Sequence, residues 1–118
     1  MSGKITTHVL DISTGRPAVN VVIELWRMKE TNQLEKVKES RTNDDGRVTK
    51  PLLEDNEMQV GTYQIQFHVG DYYRENNLNQ DPQFLEVVPV QFLVSNEREH
   101  YHVPLLIAPG GYSTYRGS

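Results

Sequence analysis

The chain has 118 residues, of which 36% are hydrophobic and 24% charged, with a net charge of -4 and no cysteine. That length suits one hydrophobic core, and the acidic balance argues against nucleic acid as the main partner, because phosphate binding needs a dominant basic face. The lack of cysteine excludes a disulfide scaffold, a thiolate nucleophile and thiolate-held zinc.

Period-two alternation, the strand signature, runs through most of the chain. Residues 5–12 (ITTHVLDI) open it, with Ile5, Thr7 and Val9 on one face and Thr6, His8 and Leu10 on the other. Ser13-Thr14-Gly15-Arg16-Pro17 breaks the chain before residues 19–28 (VNVVIELWRM), a β-branched run that reads as a central strand. Residues 34–42 (LEKVKESRT) are charged, as edge strands tend to be. Asn43-Asp44-Asp45-Gly46 supplies a tight turn into a short strand at 47–51 (RVTKP), with Gly46 free to take positive φ. Residues 61–69 (GTYQIQFHV) alternate most clearly, setting Tyr63, Ile65, Phe67 and Val69 against Thr62, Gln64, Gln66 and His68. The period changes over Asp71–Leu78, which predicts one short helix with Asp71 as N-cap and Asn77 or Asn79 as its stop. Strands at 87–94, 100–107 and 112–118 complete the chain, the last two joined by a hairpin at Pro109-Gly110-Gly111. Pro89 and Pro104 lie inside strand-like runs and must sit at edges, bulges or non-bonded positions. About eight short strands and one helix predict an all-β protein, an antiparallel β-sandwich forming a single domain over 1–118.

No run reaches the roughly 18 apolar residues of a membrane-spanning segment. MSGKITTHVL carries no apolar signal core. The expectation is a cytoplasmic protein with no membrane partner.

Four histidines stand at positions 8, 68, 100 and 102. His68 lies on the polar side of its strand and reads as a solvated surface residue. His100 and His102 share a face with Pro104 and Leu106, while Tyr101, Val103, Leu105 and Ile107 make the better core stripe. His8 likewise lies on the core-averted face of its strand. Histidines concentrated on such faces point to an interface or a cleft, though periodicity does not say that the faces meet. Such a cluster suits acid–base catalysis, since imidazole titrates near neutral pH. It also suits an open three-histidine zinc site, and spacing does not separate the two. Arg47 follows the Asp-Gly turn, where a guanidinium could hold a carboxylate, a ring carbonyl or an oxyanion.

Several stretches together resemble the transthyretin family. They are Thr7-His8-Val9-Leu10-Asp11, Thr14-Gly15-Arg16-Pro17-Ala18, Asp45-Gly46-Arg47, Gly61 with Tyr63, Phe67, and Gly70-Asp71-Tyr72-Tyr73. The closing matches are His100 to Leu106 and Tyr112-Ser113-Thr114-Tyr115-Arg116-Gly117-Ser118, whose YRGS end resembles the branch that hydrolyses 5-hydroxyisourate rather than the hormone carriers. The resemblance implies a transthyretin-like sandwich of eight strands in two sheets with one short helix. It implies a homotetramer, a dimer of dimers around a channel lined by the core-averted faces. It also implies ring opening of a small purine-derived substrate, 5-hydroxyisourate, to a carboxylated ureidoimidazoline in urate breakdown, with no metal and no cofactor. Carried over by position, His8, Arg47 and His102 form the catalytic group. On those identities we expect His102 to be the general base toward water, relayed with His8, and Arg47 to hold the ring oxygens. Tyr115 would contact substrate, Ser113 would share its face toward the channel, and Ser118 would fix the pocket wall. His100 would support His102 or stand at the channel rim. A carrier for a small hydrophobic ligand and a structural sandwich module are the rival readings, since fold alone does not decide function.

Overall fold

The computed structural model describes residues 3–76 and 82–118. In chain order its strands are β1 (Lys4–Thr6), β2 (Val9–Asp11), β3 (Arg16–Pro17), β4 (Val22–Met28), β5 (Leu34–Arg41) and β6 (Leu53–Glu54). They continue with β7 (Gly61–Phe67), helix α1 (Val69–Glu75), β8 (Val88–Val94), β9 (His100–His102), β10 (Leu105–Ala108) and β11 (Gly111–Thr114).

One layer runs β5-β4-β7-β8, with every pairing antiparallel. The charged run is an edge strand and the β-branched run is central, as expected. Alternation decides which side is buried: β4 turns in Ile23 and Leu25, and β7 turns in Tyr63, Ile65 and Phe67. β8 is the other edge and carries Pro89, as a residue without an N–H requires.

The second layer contains two ladders, β6-β1-β9 and β11-β10-β2-β3. Here the pairing departs from the antiparallel expectation, because β1 runs parallel to β9 and β2 runs parallel to β10. Both pairs share one register: Thr6 faces His102 and Val9 faces Leu105. Bonds of 2.9 Å from Val103 N to Thr6 O and from Leu105 N to His8 O bridge the gap between the ladders. The break falls at Pro104, which has no N–H to give. Residues 5–12 and 100–107 are therefore two long neighbouring strands, each interrupted in the middle. Such parallel neighbours need a long crossover, and the whole intervening chain provides it. Ile5, Val9, Leu105 and Ile107 from this layer join Ile23, Leu25, Ile65 and Phe67 from the other in one buried core.

Three local expectations are corrected. Residues 47–51 form no strand: Arg47 makes an isolated bridge and pairing resumes at β6, after Pro51. The helix begins at Val69 with His68 as its N-cap, not at Asp71, which lies in the first turn and pairs with Arg74 at 2.9 Å. Burial of Val69, Tyr72 and Tyr73 sets its position, and no side chain caps it. The expected stops at Asn77 and Asn79 lie outside the described residues. The last strand ends at Thr114, not at residue 118.

Asp11 is fully buried on β2. Its carboxylate accepts bonds from Tyr72 Oη (2.8 Å), Tyr73 Oη (3.2 Å) and the Ser13 amide (3.0 Å), which pin α1 to the second layer. Burial, reinforced by this carboxylate, raises the pKa of both phenols, so they remain protonated donors.

Candidate active site

The parallel register brings the amino-terminal and carboxy-terminal strands side by side. Thr6 and His102 are direct partners, so His8, next on the same face, reaches His102 as well. His8 Nδ1 lies 2.9 Å from His102 Nε2, and the rings stack with centroids 5.1 Å apart. Thr6 Oγ1 lies 2.8 Å from His102 Nδ1. Both ring nitrogens of His102 are therefore engaged. His8 Nε2 is the one nitrogen of the pair without a hydrogen-bond partner among the described residues.

Arg47 arrives by a different route. Asn43 Oδ1 accepts from the amides of Asp45 (2.9 Å) and Arg47 (3.1 Å), which closes the turn. Gly46 takes φ 73° there, and a Cβ on it would stand 2.5 Å from Val9 O. Only glycine allows both the conformation and the approach. Its carbonyl accepts the Val9 amide at 2.8 Å, and Arg47 then bridges His8. Burial first, and the Arg47 guanidinium second, hold both imidazoles below their ordinary pKa, with His102 adding to the effect on His8. At neutral pH the pair is uncharged.

Thr6, Arg47, His102 and Ser118 line a cleft of about 350 Å³ together with Lys4, Thr7, Val48 and His100. This lining contains two cationic side chains and no Asp or Glu, which suits an oxygen-rich or anionic small molecule. His100 is exposed at its rim and makes no ring contact with His102. The three histidines form no metal-ligand set, and no such group of His, Asp or Glu occurs among the described residues.

The tail is strapped across β9. Arg116 stacks on Tyr101 at 4.4 Å and donates to Glu99 and His100 O at 3.0 Å. Gly117 N donates to His102 O at 2.8 Å, and Ser118 then reaches the cleft. Ser113 pairs with Leu106, which puts it on the His102 face but outside the cleft of a single chain. Tyr115 is not brought to the histidines. The strand breaks before it, and it lines a second, apolar cleft with Phe92, Tyr101 and Val103. His68, read as solvated, is half-buried, with Nε2 3.3 Å from Glu24 Oε1.

Sequence reasoning missed Thr6, Lys4, Arg116 and Gly117. Thr6 already stood on the His8 face in the alternation, so its position was legible and its partner was not.

Fold and cleft together define a β-sandwich of transthyretin type with an imidazole pair and an arginine on its open face. The chain belongs to the HIUase/Transthyretin family, whose model matches residues 5–117. It is 57% identical to the 5-hydroxyisourate hydrolase of Halalkalibacterium halodurans, over 100% of both chains. Among solved structures it is similar to the 5-hydroxyisourate hydrolase of Klebsiella pneumoniae, with TM-score 0.82 and 33% identity over 100% of both chains. It is also similar to an (S)-allantoin synthase, with TM-score 0.90 and 40% identity, where 99% of this chain spans 44% of that one.

Proposed function

We propose that this protein is a 5-hydroxyisourate hydrolase. It adds water to a ring carbonyl of this purine-derived substrate and breaks the adjacent amide C–N bond, leaving a carboxylated ureidoimidazoline. The observation that carries the reading is the 2.9 Å contact of His8 Nδ1 with His102 Nε2, where His102 and Arg47 line the cleft and His8 stands directly behind His102. An imidazole kept neutral at pH 7 is ready to accept a proton.

The contacts favour an order of the two histidines opposite to the expected one. His102 has both nitrogens engaged, so His8 Nε2 takes the proton from the attacking water. His102 shares the resulting charge through Nε2. Arg47 stabilises the negative charge that develops on the carbonyl oxygen. The proton on His8 Nε2 then goes to the departing ring nitrogen, so one water is consumed and the pair is restored. Ser118 closes the cleft wall.

The functional unit in this reading is a homotetramer, a dimer of dimers of a single domain over 1–118. Two features support association: the β8 edge exposes Leu93 at 60%, and Tyr115 is 56% exposed beside it. Tyr115 and Ser113 would then serve substrate across an interface. We assign the protein to the cytoplasm; no helix among the described residues is long and apolar enough to cross a membrane.

The test is to generate 5-hydroxyisourate in place with urate oxidase and follow its absorbance decay. The protein is expected to accelerate decay over the spontaneous rate, and no acceleration at any pH between 6 and 9 (roughly the range in which neutral imidazole persists) ends the proposal.

A further inference from the structure

We propose that Thr6 is a positioning residue for the reaction, its hydroxyl deciding which nitrogen of each imidazole carries the proton. The inference rests on the hydrolase reading and extends it to a residue that need not touch substrate.

Thr6 Oγ1, His102 and His8 form one chain of hydrogen bonds, with contacts of 2.8 and 2.9 Å. Each neutral imidazole has one N–H, so the chain has two self-consistent settings. If Thr6 accepts, His102 carries its proton on Nδ1 and receives the Nδ1–H of His8 at Nε2. His8 Nε2 is then a lone pair, able to act as a base. If Thr6 donates, His102 carries its proton on Nε2 and gives it to His8 Nδ1. His8 Nε2 then carries a hydrogen and cannot accept one.

The accepting setting also balances the proton traffic. Water gives a proton to His8 Nε2 as its oxygen bonds to the carbonyl carbon. The His8 Nδ1 proton moves to His102 Nε2, making an imidazolium whose Nδ1–H still rests on Thr6. When the C–N bond breaks, the His8 Nε2 proton goes to the leaving nitrogen and the His102 Nε2 proton returns to His8. Thr6 gains and loses nothing, but it supplies the acceptor that the imidazolium needs. It is half-buried and lines the cleft, so its own hydrogen has somewhere to point.

Replacing Thr6 with an isosteric apolar residue leaves a partly buried N–H without an acceptor whenever His102 is protonated on Nδ1. The pair escapes by adopting the other setting, which blocks the base. Thr6→Val keeps the β-branched shape of a strand residue, and Thr6→Ser keeps the hydroxyl. The experiment records imidazole 15N NMR of the neutral pair alongside kcat and KM for 5-hydroxyisourate, in the full-length protein and both variants. In the unsubstituted protein both histidines are expected as Nδ1–H. Thr6→Val is expected to move both to Nε2–H and to lower kcat by about 10-fold to 100-fold with KM within about 2-fold. Thr6→Ser is expected to restore both readouts to within about 3-fold. An unchanged tautomer in Thr6→Val overturns the proposal, as does a changed tautomer with unchanged kcat. An unsubstituted protein with no activity overturns the hydrolase reading instead, while the tautomer shift still decides whether Thr6 sets the pair.

Discussion

Gly117→Ala is a small change with a large expected effect on the site. An added Cβ would stand 2.6 Å from His102 Cδ2, 3.3 Å from Cγ and 3.4 Å from the His102 Cβ. Carbon atoms pack at about 3.5–4.0 Å, so the overlap is about 1 Å. The imidazole cannot slide away freely, because its two nitrogens are held at 2.8 and 2.9 Å. A 1 Å shift stretches at least one of these bonds beyond hydrogen-bond range. If the tail yields instead, the 2.8 Å bond from Gly117 N to His102 O is lost and Ser118 leaves the cleft wall. Gly117 is not among the glycines with positive φ, so alanine adds a clash and no backbone strain. Overpacking of this kind costs about 1–3 kcal/mol, and a 1 Å misplacement of a reacting group costs about 100-fold in rate. The assay is kcat on 5-hydroxyisourate with His102 resonances as the structural readout. Ring displacement predicts a fall mainly in kcat, and tail displacement a rise mainly in KM. Unchanged kinetics with unchanged His102 signals would refute the reasoning about the tail.

Arg47→Gln removes the cation that, after burial, depresses both imidazoles. It should lower kcat by about 100-fold to 1,000-fold, and the acid limb of the kcat/KM profile should move to higher pH; a limb that stays in place would show that Arg47 does not act on the pair. Folding stability should fall as pH drops below 6.5, the ordinary value of histidine, because the unfolded chain takes up protons that the folded pair resists. Urea midpoints measured from pH 8 downward test this over roughly the window set by the two histidines, and His8→Gln with His102→Gln should flatten the decline. Tyr72→Phe deletes a 2.8 Å bond to the buried Asp11 carboxylate. It should cost about 1.5–3 kcal/mol, visible as a Tm several degrees lower; an unchanged Tm would mean that the other donors suffice.

The strands were legible where one face is buried and the other wet. Tyr63, Ile65 and Phe67 announce β7 by alternation, and the charges on residues 34–42 announce an edge, because both signals are local. The parallel pairing was not legible. It joins residues 96 positions apart, as in the Thr6–His102 contact, and nothing within either strand encodes it. That one register separates the readable part of the site from the rest. His8 and His102 were visible as core-averted histidines, but their contact, and the engagement of both His102 nitrogens, follow only from the pairing. The proposal that His8, not His102, is the base rests on that engagement. The resemblance implies a substrate contact for Tyr115, and a strand continued to residue 118 would keep it on the face of Ser113. Alternation ends at Thr114, after which Arg116 clamps the tail on Tyr101 and turns Tyr115 to the other cleft. The helix start was misplaced for a related reason: Asp71 has the chemistry of a cap, but burial of Val69 and two tyrosines outweighs it.

The central claim is that His8 and His102 work as one unit. The most direct measurement is kcat for His8→Asn, His102→Asn and the double variant, on 5-hydroxyisourate formed in place. Each single variant should lose about 100-fold to 10,000-fold, and the double should lose no more than the worse single, as expected of residues that act together. Losses that multiply in the double variant, or a single variant with near-full activity, would contradict the account.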